Sequence, residues 1–151
     1  MTVGVPQEYN MAELSQEHRE LWKKSIEKMK SLGATIKEIS LPHTKYALPT
    51  YYIISSAEAS SNLNRYDGIR YGGVEIDEKQ FENIQVEDFL KLNRDEGFGM
   101  EVKRRLLIGT FVLSRNSFES YYLQALKVRR LIKNDFDHAF SRDGVDVKPF
   151  F

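Results

Sequence analysis

The residues that could do chemistry in this chain are three histidines, a cluster of serines, a run of cations and a pair of tyrosines. His18, His43 and His138 stand far apart, and none has a second histidine at metal-ligand spacing. His18 falls in the first turn of an expected helix and His138 near the end of another, so both read as surface residues rather than general bases. Ser55, Ser56, Ser60 and Ser61 raise the possibility of a nucleophile. A serine needs a base and backbone N–H donors for the oxyanion, and no glycine adjoins these four. The better reading is a thin helix face that lets another backbone approach. Glu58 and Asn62, four apart, share a face of that helix and could orient a neighbouring loop or ligand, or simply cap hydrogen bonds in the interior.

Lys103, Arg104 and Arg105 form the most informative run. Three consecutive helical residues fan over about 200°. With Val102 and Leu106 on either side, at least one cation approaches the apolar side. A desolvated arginine is costly unless it is paired, and its planar fork suits a carboxylate. One of the two arginines therefore holds a structural Asp or Glu, or an anionic ligand group. Tyr51 and Tyr52 are expected to open a helix, their rings packed and their hydroxyls at the surface, with substrate lining as the sharper alternative.

No P-loop, dinucleotide fingerprint or nucleophile elbow occurs in the sequence. The chain has no cysteine, so disulfides, thiolate catalysis and zinc–thiolate sites are excluded. Lys plus Arg and Asp plus Glu number 22 each, which argues against a general polyanion binder; Lys103–Arg105 and the pair Arg129 and Arg130 are the places for a local basic patch. No apolar run approaches the ~20 residues that cross a bilayer, and no secretory leader is visible.

The elements that must position these residues follow from periodicity. Val3 to Pro6 reads as a short strand that the proline stops. Ser15 caps a helix with Leu21, Trp22, Ile26, Met29 and Leu32 on one stripe, and Gly33 ends it. Thr35 to Leu41 reads as a second strand, completing a βαβ unit and hence a parallel pair. Pro42 and Pro49 bracket an expected loop, and a small-residue helix is expected from Tyr51 to Asn64. Tyr66–Gly68 and Tyr71–Gly73 are turn-like. Val74 to Glu87 reads as a polar surface excursion, and Arg94–Glu96 as an exposed turn. A helix is expected from about Gly99 to Leu113, with Val102, Leu106 and Val112 or Leu113 as its buried face. Ser117 is expected to cap a long helix carrying Phe118, Tyr121, Tyr122, Ala125, Val128, Ile132, Phe136 and Phe140 as far as Gly144. Val145 to Val147 then begins a third strand. A strand at the extreme end is a poor finish for an α/β fold, so the expectation is a partial domain over 1–147 and an atypical tail, Lys148 to Phe151.

Four stretches carry a family resemblance: VGVPQEY at 3–9, the long run 31–72, EGFGMEVKRRLLIGTFVLS at 96–114 and YYLQALKVRRLIKNDFDHAF at 121–140. The segments EASSNLNRYDGIRYG at 58–72 and EGFGMEVKRRLLIGTF at 96–111 are the most specific. Together they resemble the amidase-signature family, and within it the A subunits of glutamyl-tRNA(Gln) amidotransferases. The departure is the ending KPFF, where the family continues into a Thr/Pro-rich loop.

The resemblance implies a helix-rich α/β fold, part of an amidase-type mixed β-sheet covered by helices. It implies a part in a translation-linked, ATP-dependent ligase complex. There the A subunit hydrolyses glutamine, and the ammonia converts Glu-tRNA(Gln) to Gln-tRNA(Gln). By motif match Arg105 takes the family arginine that holds the glutamine carboxylate, and Tyr51 a tyrosine lining the same pocket. The family's catalysis uses a Lys, a bridging Ser and a nucleophilic Ser, the two serines in a Gly/Ser-rich signature with no counterpart here, so the catalytic set is expected to be empty and the chain alone inactive. No cofactor or metal is expected in this chain. ATP and Mg belong to a partner subunit, B- and C-type subunits are the expected partners, tRNA is reached only through the complex, and no membrane is involved. The compartment implied is the mitochondrial matrix or the bacterial cytoplasm. The rival readings are another amidase-signature hydrolase and a truncated, non-catalytic interaction module.

Overall fold

The computed structural model describes residues 1–73 and 84–141. The expected third strand at Val145–Val147, the helix stop at Gly144, the tail, and the excursion over 74–83 lie outside the described residues. The chain divides into two compact units, Met1–Leu48 with Lys127–Phe151, and Pro49–Leu126.

In the first unit β1 (Thr2–Pro6) and β2 (Thr35–Ile39) pair in parallel, with Thr2 opposite Thr35 and Pro6 opposite Ile39. The crossover between them is α1 (Gln16–Ser31). Its start is set as the sequence indicates: the Ser15 hydroxyl accepts from the His18 N–H at 3.3 Å. Its end is Gly33, whose φ of +88° is the left-handed conformation that glycine adopts freely. The stripe on α1 is only partly covered: Ile26 and Met29 are half-buried, Leu21, Trp22 and Leu32 are exposed, and no residue of this helix is fully buried. Leu41, at 1% exposure, is the best-buried hydrophobic side chain of this unit.

The stretch between the two prolines is not an open loop. Pro42–Tyr46 forms a 3-10 helix and α2 (Ala47–Asn62) follows at once. Both prolines sit where a helix has no use for their missing N–H: Pro42 is the first residue of its turn, and Pro49 lies in the first turn of α2. Tyr51 and Tyr52 consequently lie in the second turn of α2 rather than opening it. A carboxylate secures the 3-10 turn. The His43 backbone N–H donates to Asp135 Oδ2 and its ring Nδ1 to Oδ1, both at 2.9 Å. Asp135 is 8% exposed and belongs to α5 (Gln124–Ala139), whose last thirteen residues lie in this unit.

The second unit contains most of α2, α3 (Val86–Gly97), α4 (Met100–Leu113) and a π-helical turn, Phe118–Leu123, that leads into α5. Helix α3 corrects two expectations. Val86 and Glu87 begin it rather than closing an excursion, and Arg94–Glu96 form its last turn rather than a loop. Glu87 and Asp88 favour its positive N-terminus, while Phe89 and Asn93, four apart, form its buried face. Around Gly97 to Gly99 the chain does turn, but only after the helix is complete. Ser117 is buried and makes no capping hydrogen bond with its side chain; the helix after it begins in π form instead of running as one α-helix.

Helices α2 and α4 approach very closely. A Cβ on Gly109 would stand 2.1 Å from the Ser56 carbonyl oxygen and 2.5 Å from Ser60 Cβ. The small serine face expected from the sequence is thus a backbone-to-backbone contact, with Val112 buried beside it. Val102 and Leu106 are half-buried, while Leu113 is exposed.

Candidate functional site

Arg105 occupies the second turn of α4 and faces the Tyr51–Tyr52 pair on α2. Arg105 Nη1 donates to the Tyr51 hydroxyl at 3.4 Å, a long hydrogen bond, and Nε donates to Glu101 Oε1 at 3.2 Å. The guanidinium carbon lies 5.9 Å from the Tyr51 ring centroid and 5.7 Å from that of Tyr52. The rings themselves are 5.5 Å apart and tilted by 60°. A cation within about 6 Å of two electron-rich rings is favoured by their quadrupoles. The Tyr51 hydroxyl, opposed by burial and aided by Glu101, holds the Arg105 pKa above its ordinary value, so the charge is permanent. No hydrogen bond engages Nη2 among the described residues, which leaves that end of the fork for an incoming acceptor.

The fan of cations divides as a helix requires. Arg104 points outward with its side chain 68% exposed, and its Nη1 lies 3.5 Å from Glu101 Oε2. Lys103 turns the other way, 3.2 Å from Asp95 Oδ1 and donating to the Asp95 carbonyl at 2.7 Å. Arg105 is the more buried of the two arginines, its side chain 28% exposed. Its acidic neighbour, Glu101, is 62% exposed and four residues earlier on the same helix. Sequence reasoning missed that partner, although an (i, i+4) pair signals it; Tyr52 it named beside Tyr51, but not as a neighbour of Arg105.

The serines take the packing role. Ser60 Oγ meets Thr110 Oγ1 at 3.2 Å, and Thr110 donates back to the Leu106 carbonyl at 2.8 Å. The hydroxyls of Ser55 and Ser56 are buried without a hydrogen-bond partner among the described residues. Glu58 and Asn62 are both exposed and do not reach the interior. His18 and His138 are exposed, and His43 serves the Asp135 clamp.

The stretch after α2 is a tied-down turn. Asp67 accepts from the Arg70 N–H at 2.9 Å, from Arg70 Nε at 2.9 Å and from the Ile69 N–H at 3.0 Å. Those donors hold its carboxyl far below the usual carboxylate range. Gly68, at φ +78°, packs so tightly on Asn93 that a Cβ would lie 2.6 Å from the Asn93 side chain. Arg94 Nη2 also donates to Asn64 Oδ1 at 2.8 Å, so α3 holds both ends of this turn.

Among the described residues no group of three His, Cys, Asp or Glu is placed to hold a metal ion. Nor is any helix among them long and apolar enough to cross a membrane.

A parallel β-α-β unit, a helix pair in backbone contact and an arginine framed by tyrosines together describe a helix-rich α/β chain of amidase type, and the amidase family profile matches residues 1–148; the chain belongs to that family. Among its relatives is the glutamyl-tRNA(Gln) amidotransferase A subunit of Pelagibacter ubique, 54% identical over 147 residues, covering 97% of this chain and 29% of the relative. The corresponding protein of Bartonella henselae, of the same name, is 55% identical over 147 residues, covering 97% and 28%. The crystal structure of the glutamyl-tRNA(Gln) amidotransferase A subunit from Thermotoga maritima superposes with a TM-score of 0.56 at 32% identity, covering 94% of this chain and 25% of that one. The chain thus spans 28–29% of the length of these curated relatives.

Proposed function

We propose that this chain contributes the glutamine-binding wall of an amidotransferase A subunit, the component that releases ammonia for converting Glu-tRNA(Gln) to Gln-tRNA(Gln). The observation that carries this reading is the meeting of Arg105 and Tyr51, 54 positions apart in sequence, at one exposed point. Arg105 offers its unused Nη2 to the α-carboxylate of glutamine, a charge-assisted contact that also orients the ligand. Tyr51 holds the guanidinium and borders the ligand. Both residues bind and orient; neither supplies a nucleophile. The naming of the relatives as A subunits of this amidotransferase supports the substrate class.

The sequence contains no Gly-Gly-Ser-Ser-Gly-Gly stretch. Hydrolysis therefore depends on residues beyond these, and the chain by itself is inactive. In the assembled complex, ATP and Mg act on a partner subunit, B- and C-type subunits are the partners, and tRNA is reached through them. The bacterial sources of the relatives favour the bacterial cytoplasm over the mitochondrial matrix.

The test is glutaminase activity of the chain, alone and with B- and C-type subunits, against Arg105→Ala, together with a titration with L-glutamine. The expected result is Arg105-dependent binding of glutamine and no hydrolysis by the chain alone. Hydrolysis by the chain alone, lost in Arg105→Ala, would mean a complete catalytic apparatus and would overturn the binding-wall reading.

A further inference from the structure

Arg105 has three neighbours, and only two of them engage it by hydrogen bonds. Glu101 takes Nε and the Tyr51 hydroxyl takes Nη1. The third neighbour, Tyr52, offers no hydrogen bond to Arg105. Its ring centroid is nonetheless the nearer of the two, 5.7 Å from the guanidinium carbon against 5.9 Å for Tyr51. Tyr52 is 46% exposed, so burial alone does not account for an aromatic ring at this place. Its hydroxyl has no hydrogen bond among the described residues, so what it presents to Arg105 is the ring. Two polar anchors on an arginine fix two nitrogens but leave the guanidinium plane free to rock about the line joining them. A ring held within cation–π range of the guanidinium restricts that motion.

We propose that Tyr52 is a positioning residue for Arg105: its ring fixes the guanidinium plane so that Nη2 is presented as a ready donor to an incoming acceptor. The functional consequence rests on the glutamine reading above; the positioning itself does not. Preorganising the fork lowers the ordering cost of binding, so Tyr52 acts on affinity without touching the ligand.

Nitrogen-15 NMR of the whole chain tests this without any ligand, through the rate at which the Arg105 Nε proton exchanges with water. Tyr52→Leu and Tyr52→Met remove the ring and keep an apolar side chain at a half-exposed position; Tyr52→Phe keeps the ring. The expected result is exchange about two- to fivefold faster in the Leu and Met variants, the scale of an exposed cation–π contact. Tyr52→Phe should exchange as wild type, and backbone amide signals of α2 and α4 away from position 52 should be unmoved in all three. Wild-type exchange in both ring-less variants, with those amide signals intact, would overturn the proposal. Titration with L-glutamine forms a separate arm: affinity should fall by the same factor in Tyr52→Leu and be restored in Tyr52→Phe. A wild-type chain that ignores glutamine would defeat the functional reading, while the exchange comparison would still decide the role of Tyr52.

Discussion

Arg105 on α4 and Tyr51 on α2 meet at 3.4 Å through Nη1 and the phenolic oxygen, with Glu101 securing the other side of the guanidinium at 3.2 Å. The arginine is thus held by its own helix and by a neighbouring one. A site built on two helices in backbone contact is more rigid than one carried on a loop. The Gly109–Ser56 approach sets the distance between the helices, and so sets where the tyrosines stand relative to the guanidinium.

If Arg105 receives a carboxylate, its removal acts on binding first. Arg105→Ala should weaken L-glutamine by about ten- to a hundredfold, the range of a charged hydrogen bond. Arg105→Lys should recover little of this, because a lysine has no planar fork. Tyr51→Phe should cost only about two- to tenfold, since a neutral hydroxyl is lost while the ring stays. Calorimetric titration of the three variants gives the order; equal affinities for wild type and Arg105→Ala would remove Arg105 from the site.

Gly109 permits the helix contact on which the site depends. Gly109→Ala places a carbon 2.1 Å from the Ser56 carbonyl oxygen, where backbone on both sides must give. The expected loss is about 1–3 kcal/mol, the cost of overpacking a tight interior. Thermal melts measure it. A Tm unchanged by this substitution would show that α2 and α4 do not approach as closely as described.

Asp135 and His43 divide one interaction unequally. Asp135→Ala strips the acceptor from both the backbone N–H and the ring of His43, whereas His43→Ala leaves the backbone bond intact. Leaving half-buried donors unmet costs up to about 1–3 kcal/mol, so Asp135→Ala should destabilise the first unit more than His43→Ala. Urea denaturation of both variants checks the order. The reverse order would assign the anchoring to the imidazole rather than to the carboxylate.

Glu8 provides a pH-dependent tie. Burial raises its pKa, but the hydroxyl of Ser40 and the N–H of Leu41 both donate to the carboxylate, and together they outweigh burial and leave the pKa below its usual value of 4.5. A depressed carboxylate contributes stability that is fully present above the unfolded pKa and is lost as pH falls through the lower folded value. Wild type should therefore exceed Glu8→Gln in Tm at pH 6, and the gap should close as pH drops below about 4.5. A gap that stayed constant from pH 6 to pH 3 would exclude this linkage.

Local signals in the chain were strong where one residue settles a conformation. Ser15 and Gly33 mark the ends of α1, and β-α-β spacing implies the parallel pair that Thr2 and Thr35 begin. The serine run in α2 was readable as a thin face because small side chains have few other reasons to cluster. Helix α3 escaped because its apolar signal is sparse: Phe89 and Asn93 make its inward face, and a buried asparagine does not register as apolar. The 3-10 turn at Pro42–Tyr46 escaped because prolines read as breaks unless their place in a first turn is known.

By itself the sequence determined the parallel β-α-β unit, the thin face of α2 and the presence of an arginine that needs an acidic or anionic partner. These follow from side-chain size, backbone preference and helical period, which act within a few residues. Through its resemblance to a family it also singled out Arg105 and Tyr51. Only the tertiary structure decided that those two residues touch, that Tyr52 and Glu101 complete their surroundings, and that Leu21, Trp22 and Leu32 of the α1 stripe stay exposed. Such facts depend on which helices approach and how closely, and the distance between α2 and α4 is set by a glycine and a serine 53 positions apart.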